Sequence, residues 1–338
     1  MTQEMATALY TDVETMLAAH GAGGAMRPFA HEGYSGAALS YVEGGATRFV
    51  LKRIAGEPDW LRRALRDERC REARLAASPF AARLPEGVRS ASIAACHDGD
   101  GYAVLMHDLT GVVPPPDGAL ARPQVSLVLR RLAEMHAAFW EAGPGGIGCG
   151  PVPLEHWLRI LEPAHLRALA AEGIDFGGPR GWELFERLAH PDAVALVRAL
   201  HADPSPLLAA SAALPPTLLH GDAKVANMGI DGDTLWLFDW QTVMYEPVAH
   251  ELSWFLAVNS SRLPDSLDAT LETYAAHLRR ALGRRFDAAQ WPRQVAVCAV
   301  AGLRTYGWGK ALDADAGRPE ELRWWCERAL AGARALGW

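Results

Sequence analysis

The chain has 338 residues and a net charge of −7 with no basic run, which argues against nucleic acid as a partner. Half of its residues are hydrophobic and 22% are charged, the balance of a folded protein long enough to bury a full core without staples. The five cysteines (Cys70, Cys96, Cys149, Cys298, Cys326) form no Cys-x-x-Cys pair, which fits a cytoplasmic protein and neither a disulfide framework nor a zinc site.

Glu4, Asp12 and Glu14 exclude a signal peptide near the start, and no apolar run reaches the length of a membrane span. Met5 to Leu17 reads as an amphipathic helix. Two short strands are expected around the turn Gly33-Tyr34-Ser35-Gly36, and after the turn Glu43-Gly44-Gly45-Ala46 a third strand covers Thr47 to Ile54. A glycine-containing turn lets backbone amides approach phosphate oxygens, but such turns also join ordinary hairpins. Lys52 lies inside the third strand among apolar residues, so it either faces solvent or has a buried partner. A helix from about Asp59 to Ser78 follows, with Glu68 and Glu72 on one face. Leu84 to Cys96 and Gly101 to Met106 read as two more strands, and Pro114-Pro115-Pro116 marks a break soon after.

Gln124 to Glu141 has the apolar stripe of a helix, with His136 read as a core or boundary residue beside it. Leu154 to Leu208 reads as helices interrupted by Gly and Pro and carries no motif. The densest chemistry is in Leu218-Leu219-His220-Gly221-Asp222-Ala223-Lys224-Val225-Ala226-Asn227. Asp231-Gly232-Asp233 then signals a hairpin turn, and a strand from Thr234 to Phe238 delivers Asp239. Two carboxylates and an amide in this compass suit a hard cation such as magnesium. Their order is also that of the phosphoryl-transfer template, a proton-accepting Asp followed by an Asn and an Asp that hold metal. The rest reads as helices over Leu267–Leu282, Ala288–Trp308 and Pro319–Leu336. The sequence holds twelve tryptophans; Trp308, Trp324, Trp325 and Trp338 near its end read as core, with an aromatic cage for a quaternary amine as the alternative.

His220-Gly221-Asp222 with Asn227 resembles the catalytic loop of the aminoglycoside phosphotransferase and choline kinase-like family, and Phe238-Asp239-Trp240 resembles its metal-binding Asp segment. The resemblance covers the whole chain loosely and three segments well, 33–72, 101–109 and 218–256, of which the last is specific and the others gain from their order. It implies an α+β, bilobal protein-kinase-like fold. Residues 1–106 would form the nucleotide-binding lobe with a small antiparallel sheet, 107–117 a linker, and 118–338 a mainly helical catalytic and acceptor-binding lobe. It implies ATP, or another nucleoside triphosphate, and magnesium. Asp222 would be the catalytic base, with Asn227 and Asp239 as metal ligands. Lys52 would grip the α- and β-phosphates with Glu72, preferred over Glu68, as its partner. Gly33, Ser35 and Gly36 would cradle phosphate, and Met106 and Asp108 would lie at the base. Lys224 resembles a protein-kinase lysine that reaches the transferred phosphoryl group; a solvated turn lysine is the equal alternative. Glu251 stands where the family usually has an Asp bound to the catalytic-loop backbone. The acceptor would be a small-molecule hydroxyl, and the chain a monomer or homodimer. The competing readings are a non-catalytic nucleotide-binding module and a protein kinase. The absence of an Ala-Pro-Glu run after Asp239 weighs against the protein kinase.

Overall fold

A computed structural model describes residues 9–29, 36–145 and 147–338. In chain order the elements are α1 (Val13–Ala19), β1 (Met26–Phe29), β2 (Ala38–Gly44), β3 (Thr47–Ile54), α2 (Trp60–Ala64), α3 (Arg71–Ala76), β4 (Val88–Ser90), β5 (Ser92–Asp98), β6 (Gly101–His107) and α4 (Arg122–Ala138). There follow α5 (Leu154–Arg159), α6 (Pro163–Ala171), α7 (Gly178–Leu188), α8 (Pro191–Ala202), α9 (Ser205–Ala212), β7 (Thr217–Leu219), β8 (Met228–Asp231) and β9 (Thr234–Leu237). Last come β10 (Met244–Glu246), α10 (Val248–Asn259), α11 (Leu267–Leu282), α12 (Trp291–Asp315) and α13 (Glu320–Leu336). They gather into two compact units: Met1–Pro116 with Pro144–Pro151 and Val225–Val243, and Asp117–Gly143 with Val152–Lys224 and Met244–Trp338. The chain crosses from one to the other between Lys224 and Val225, inside the motif that holds Asp222 and Asn227.

The first unit is built on a five-stranded antiparallel sheet in the order β1-β2-β3-β6-β5. Residues directly opposite each other across strands point to one face. Leu39 pairs with Lys52 and Tyr41 with Val50, and β6 sets Val104 against Lys52 and Met106 against Val50. Lys52 therefore shares a face with Tyr41, Val50, Val104 and Met106. Part of this face packs on α3 through Cys70 and Ala73. The opposite face, with Val42, Leu51 and Leu105, buries Met16 and Leu17 of α1.

Three expectations for this unit need correction. The helix expected over Met5 to Leu17 lies outside the described residues before residue 9, and among the described residues it starts at Val13, because Asp12 caps it by accepting from the Thr15 backbone N–H at 2.7 Å. Just before it, Tyr10 bridges to Cys96 as extended chain. The expected helix from Asp59 to Ser78 is broken into α2 and α3, with Arg66 and Cys70 both left-handed at φ 51° and 50°. Asp67 sets the break by accepting from the Arg71 backbone N–H with both carboxylate oxygens at 2.9 Å, which starts a new helix. The single strand expected over Leu84–Cys96 is two strands in two sheets, since β4 pairs in parallel with β9 while β5 pairs with β6. Ala91 joins them, donating to Leu237 O and accepting from His107 N, each at 2.8 Å.

In the second unit α4 packs on α11, and α12 runs against α7, α10 and α13. The interrupted helical stretch resolves into α5 to α9, and α6, α7, α8 and α9 each start on a proline in the first turn, where its missing N–H is not needed. Trp325, 1% exposed, is core: its ring fills the space beside Gly302, where a Cβ would lie 2.3 Å from it. Trp324 donates to Asp268 at 3.1 Å. Among the described residues no helix is long and apolar enough to cross a membrane, and the five cysteines are buried free thiols. The fold is α+β, an antiparallel sheet early in the chain followed by helices.

Candidate active site

Lys52 is delivered by the middle strand of the sheet and is 8% exposed. Its ammonium donates to Glu72 Oε2 at 2.7 Å and to Asp239 Oδ1 at 2.8 Å. Glu72, in the first turn of α3, is 3% exposed. Burial pushes the Lys52 pKa down, and the two carboxylates, Asp239 before Glu72, more than reverse it and hold the ammonium above its ordinary range. Burial pushes the Glu72 pKa up, and the Lys52 ammonium opposes that shift. Lys52, Glu72 and Gln241 also line one small cavity with Ala37, Ile54 and Cys70.

Asp239 follows β9 and is itself left-handed, at φ 66° and ψ 56°. A non-glycine residue in this region costs about 1 kcal/mol or more and needs its surroundings to hold it. Trp240, 1% exposed, packs edge-on against Phe80 with centroids 5.0 Å apart. Gln241 donates through Nε2 to Asp239 Oδ1 at 3.1 Å. Asn227, 4% exposed, ends the turn before β8, and its carbonyl accepts from Phe238 N at 3.2 Å, which sets it beside the residue preceding Asp239. An amide and a carboxylate are donors that magnesium accepts while keeping several waters. The Lys52 ammonium already stands against Asp239 as a cation. Among the described residues no group of three His, Cys, Asp or Glu side chains forms an all-protein metal cage.

In the second unit, β7 leads into His220-Gly221-Asp222. Asp222 Oδ1 accepts from the Trp254 indole N–H at 2.7 Å, and its Oδ2 lies 2.9 Å from Lys224 Nζ. The loop backbone is clasped from three sides. Glu251, 1% exposed, accepts from His220 N at 2.6 Å and from Gly221 N at 3.0 Å. Trp157 donates to Gly221 O at 3.1 Å, and Asn259 to Ala223 O at 3.1 Å. Gly221 is left-handed, at φ 81°, which places glycine there without strain. His136 is wholly buried: it shares a 2.6 Å hydrogen bond with the Tyr274 hydroxyl, and its Nε2 lies 3.5 Å from Glu251. It backs the loop from behind.

The structure thus brings Lys52, Glu72 and Asp239 into direct contact, and Asp222 into contact with Lys224. Met106 lies on the Lys52 face of the sheet. The Asp108 carboxylate is taken by Arg48 at 2.6 Å and by the Thr110 backbone and hydroxyl at 2.9 and 2.6 Å. It thus orders the linker next to Tyr41, whose ring the Arg48 guanidinium covers at 4.3 Å. Gly36 is left-handed at φ 66°. Gly33 and Ser35 lie outside the described residues. The sequence reading missed Gln241 and Trp254. Gln241 lies two residues past Asp239; Trp254 lies one helical turn from Glu251, a spacing that could have flagged it.

Residues 28–288 match the model of the phosphotransferase enzyme family. The chain belongs to that family. This phosphotransferase shares its fold with a microcompartment-associated aminopropanol kinase, at a TM-score of 0.54 and 16% identity over 94% of this chain and 97% of the other. It shares it also with choline kinase LicA from Streptococcus pneumoniae, at 0.52 and 10% identity over 95% and 97%. No curated protein sequence matches it. The family is the one that His220-Gly221-Asp222, Asn227 and Asp239 resemble.

Proposed function

We propose that this phosphotransferase transfers the γ-phosphoryl group of ATP, with magnesium, to a hydroxyl of a small molecule. The observation that carries the reading is the buried contact of Lys52 with both Glu72 and Asp239. A lysine held by a helix carboxylate and by a metal-type Asp is the phosphate-gripping arrangement of phosphoryl-transfer sites.

Asn227 and Asp239 would hold magnesium, which when bound neutralises charge on the phosphates. Lys52 would leave Asp239 Oδ1 and turn its ammonium to the α- and β-phosphates, with Glu72 keeping it in place. Asp222, its rotamer fixed by Trp254, would accept a hydrogen bond from the acceptor hydroxyl and orient its oxygen toward the γ-phosphorus. As that P–O bond forms, the bond to the β-phosphate oxygen breaks and ADP leaves. The hydroxyl proton passes to Asp222 late, as a loose transition state allows. Lys224 would move from Asp222 to the equatorial phosphoryl oxygens, where a positive charge stabilises the spreading negative charge.

For the acceptor, an alcohol that carries an amine is the first class to try. Two solved kinases of the same fold are named for aminopropanol and choline. Trp254, whose indole N–H donates to Asp222, is an aromatic ring of the kind that attracts a cation. The test is transfer of label from γ-labelled ATP across a panel of amino alcohols, aminoglycosides and neutral sugars. Labelled product that requires magnesium supports the proposal. No transfer to any acceptor, with nucleotide binding intact, favours the non-catalytic binding module instead.

A further inference from the structure

We infer that Arg71 is the positioning residue for Asp239, and that α3 thereby holds both the phosphate lysine and the metal carboxylate in one register. The inference rests on the proposal that Asp239 binds magnesium with the nucleotide.

Arg71 is 8% exposed, and its guanidinium is spread over three partners. Nη1 donates to the backbone carbonyl of Gln241 at 3.3 Å and lies 3.7 Å from Asp67 Oδ2. Nε donates to Gly150 O at 2.6 Å. Gln241 in turn donates its side-chain amide to Asp239 Oδ1, the oxygen that also receives Lys52. Lys52 returns to Glu72, the residue next to Arg71. The contacts close a ring: Arg71, Gln241, Asp239, Lys52, Glu72.

The ring explains how a left-handed Asp239 keeps its place. The residue is strained, so its loop settles there only where neighbours over-determine it. Trp240 anchors the loop by packing. Arg71 ties the loop main chain to α3, and a planar fork suits two carbonyls at once where a lysine ammonium does not. An arginine that only packed α3 against 144–151 would need the Gly150 bond alone. The bond to Gln241 reaches the metal loop.

The test measures nucleotide affinity without turnover. Calorimetry gives the affinity of the intact protein for ADP in magnesium and for ADP in a chelator; their ratio is the magnesium increment. Arg71→Met is expected to cut the increment by on the order of tenfold, the worth of one lost hydrogen bond from a charged group. Affinity for metal-free ADP, which depends on Lys52 and Glu72, should stay within about threefold of wild type. Arg71→Lys should fall between. Arg304→Met is the control: it removes a fully buried arginine of the second unit that bonds Leu158 O at 2.8 Å, and it should keep the increment while lowering the melting temperature. If Arg71→Met fails to fold, Arg71→Lys and Gln241→Ala carry the test, and both should lose increment and spare metal-free ADP. A parallel fall of both affinities would show Arg71 to be packing only and would overturn the inference, as would an unchanged increment. Asp239→Asn separates the two levels. If it leaves the wild-type increment intact, the metal assignment itself fails and the inference goes with it. If it abolishes the increment while Arg71→Met and Arg71→Lys do not, the assignment stands and only the role of Arg71 is refuted.

Discussion

Glu251→Gln removes one charge and alters no shape. In the wild type both carboxylate oxygens are used, at 2.6 Å to His220 N and 3.0 Å to Gly221 N, in a place that is 1% exposed. The amide keeps one acceptor and turns an NH₂ toward the other backbone donor. One charge-assisted bond is lost, about 1.5–3 kcal/mol, and a buried N–H is left unpaired at about 1 kcal/mol or more. A total near 3 kcal/mol lowers the melting temperature of a chain of this size by roughly 4 °C. The loop also carries Asp222, so relaxation on the order of 1 Å should lower turnover by roughly a hundredfold. Glu251→Asp restores the charge one methylene short, and should recover more turnover than Gln. Thermal denaturation and magnesium-ATP turnover read the two effects. A Gln variant that melts within about 1 °C of wild type, with turnover within about twofold, would refute the claim that this carboxylate holds the loop.

Other substitutions test separate parts. Lys52→Met leaves Glu72 buried without its cation, which should cost about 3–5 kcal/mol and weaken nucleotide binding far more than acceptor binding; equal ATP affinity by calorimetry would take Lys52 out of the site. Trp254→Phe keeps an aromatic ring, smaller than the indole, and removes the donor to Asp222, so kcat should fall by about tenfold with acceptor KM little changed; a fall in acceptor affinity alone would mean the ring serves binding only. Glu246 has its pKa pushed up from 4.5 to about 7, chiefly by burial and against a hydrogen bond from Leu154 N. Its stabilising contribution is complete below pH 4.5 and is lost as pH rises through 7. Glu246→Gln should therefore match wild type in acid and exceed it by about 3 kcal/mol above pH 8, measured by denaturant titration. Burial of His250 acts in the opposite sense, lowering its pKa from 6.5 to about 3, so its contribution is lost as pH falls below 6.5. Glu246→Gln should accordingly steepen the acid loss between pH 5 and 6.5, and an unchanged slope would contradict the assignment.

What was legible in the sequence is what local chemistry fixes. Asp231-Gly232-Asp233 announces the β8–β9 hairpin because a tight turn needs those residues, and the hairpin delivers Asp239. A lysine in an apolar strand marks Lys52, and its strand, Thr47–Ile54, has the expected bounds. What was not legible depends on distant partners. No Gly or Pro lies at 65–70, where Asp67 breaks the helix by capping Arg71. Nothing around Ala91 shows that the chain changes sheets, because its bond to Leu237 comes from almost 150 residues away. Trp254 and Arg71 read as ordinary helix residues until the fold sets one against Asp222 and the other against Gln241.

The most direct measurement is label transfer by Asp222→Asn beside wild type, with nucleotide affinity taken on the same samples. The variant should bind magnesium-ATP as wild type does and transfer phosphoryl to an accepted alcohol at least about a hundredfold more slowly. Transfer at the wild-type rate would contradict it.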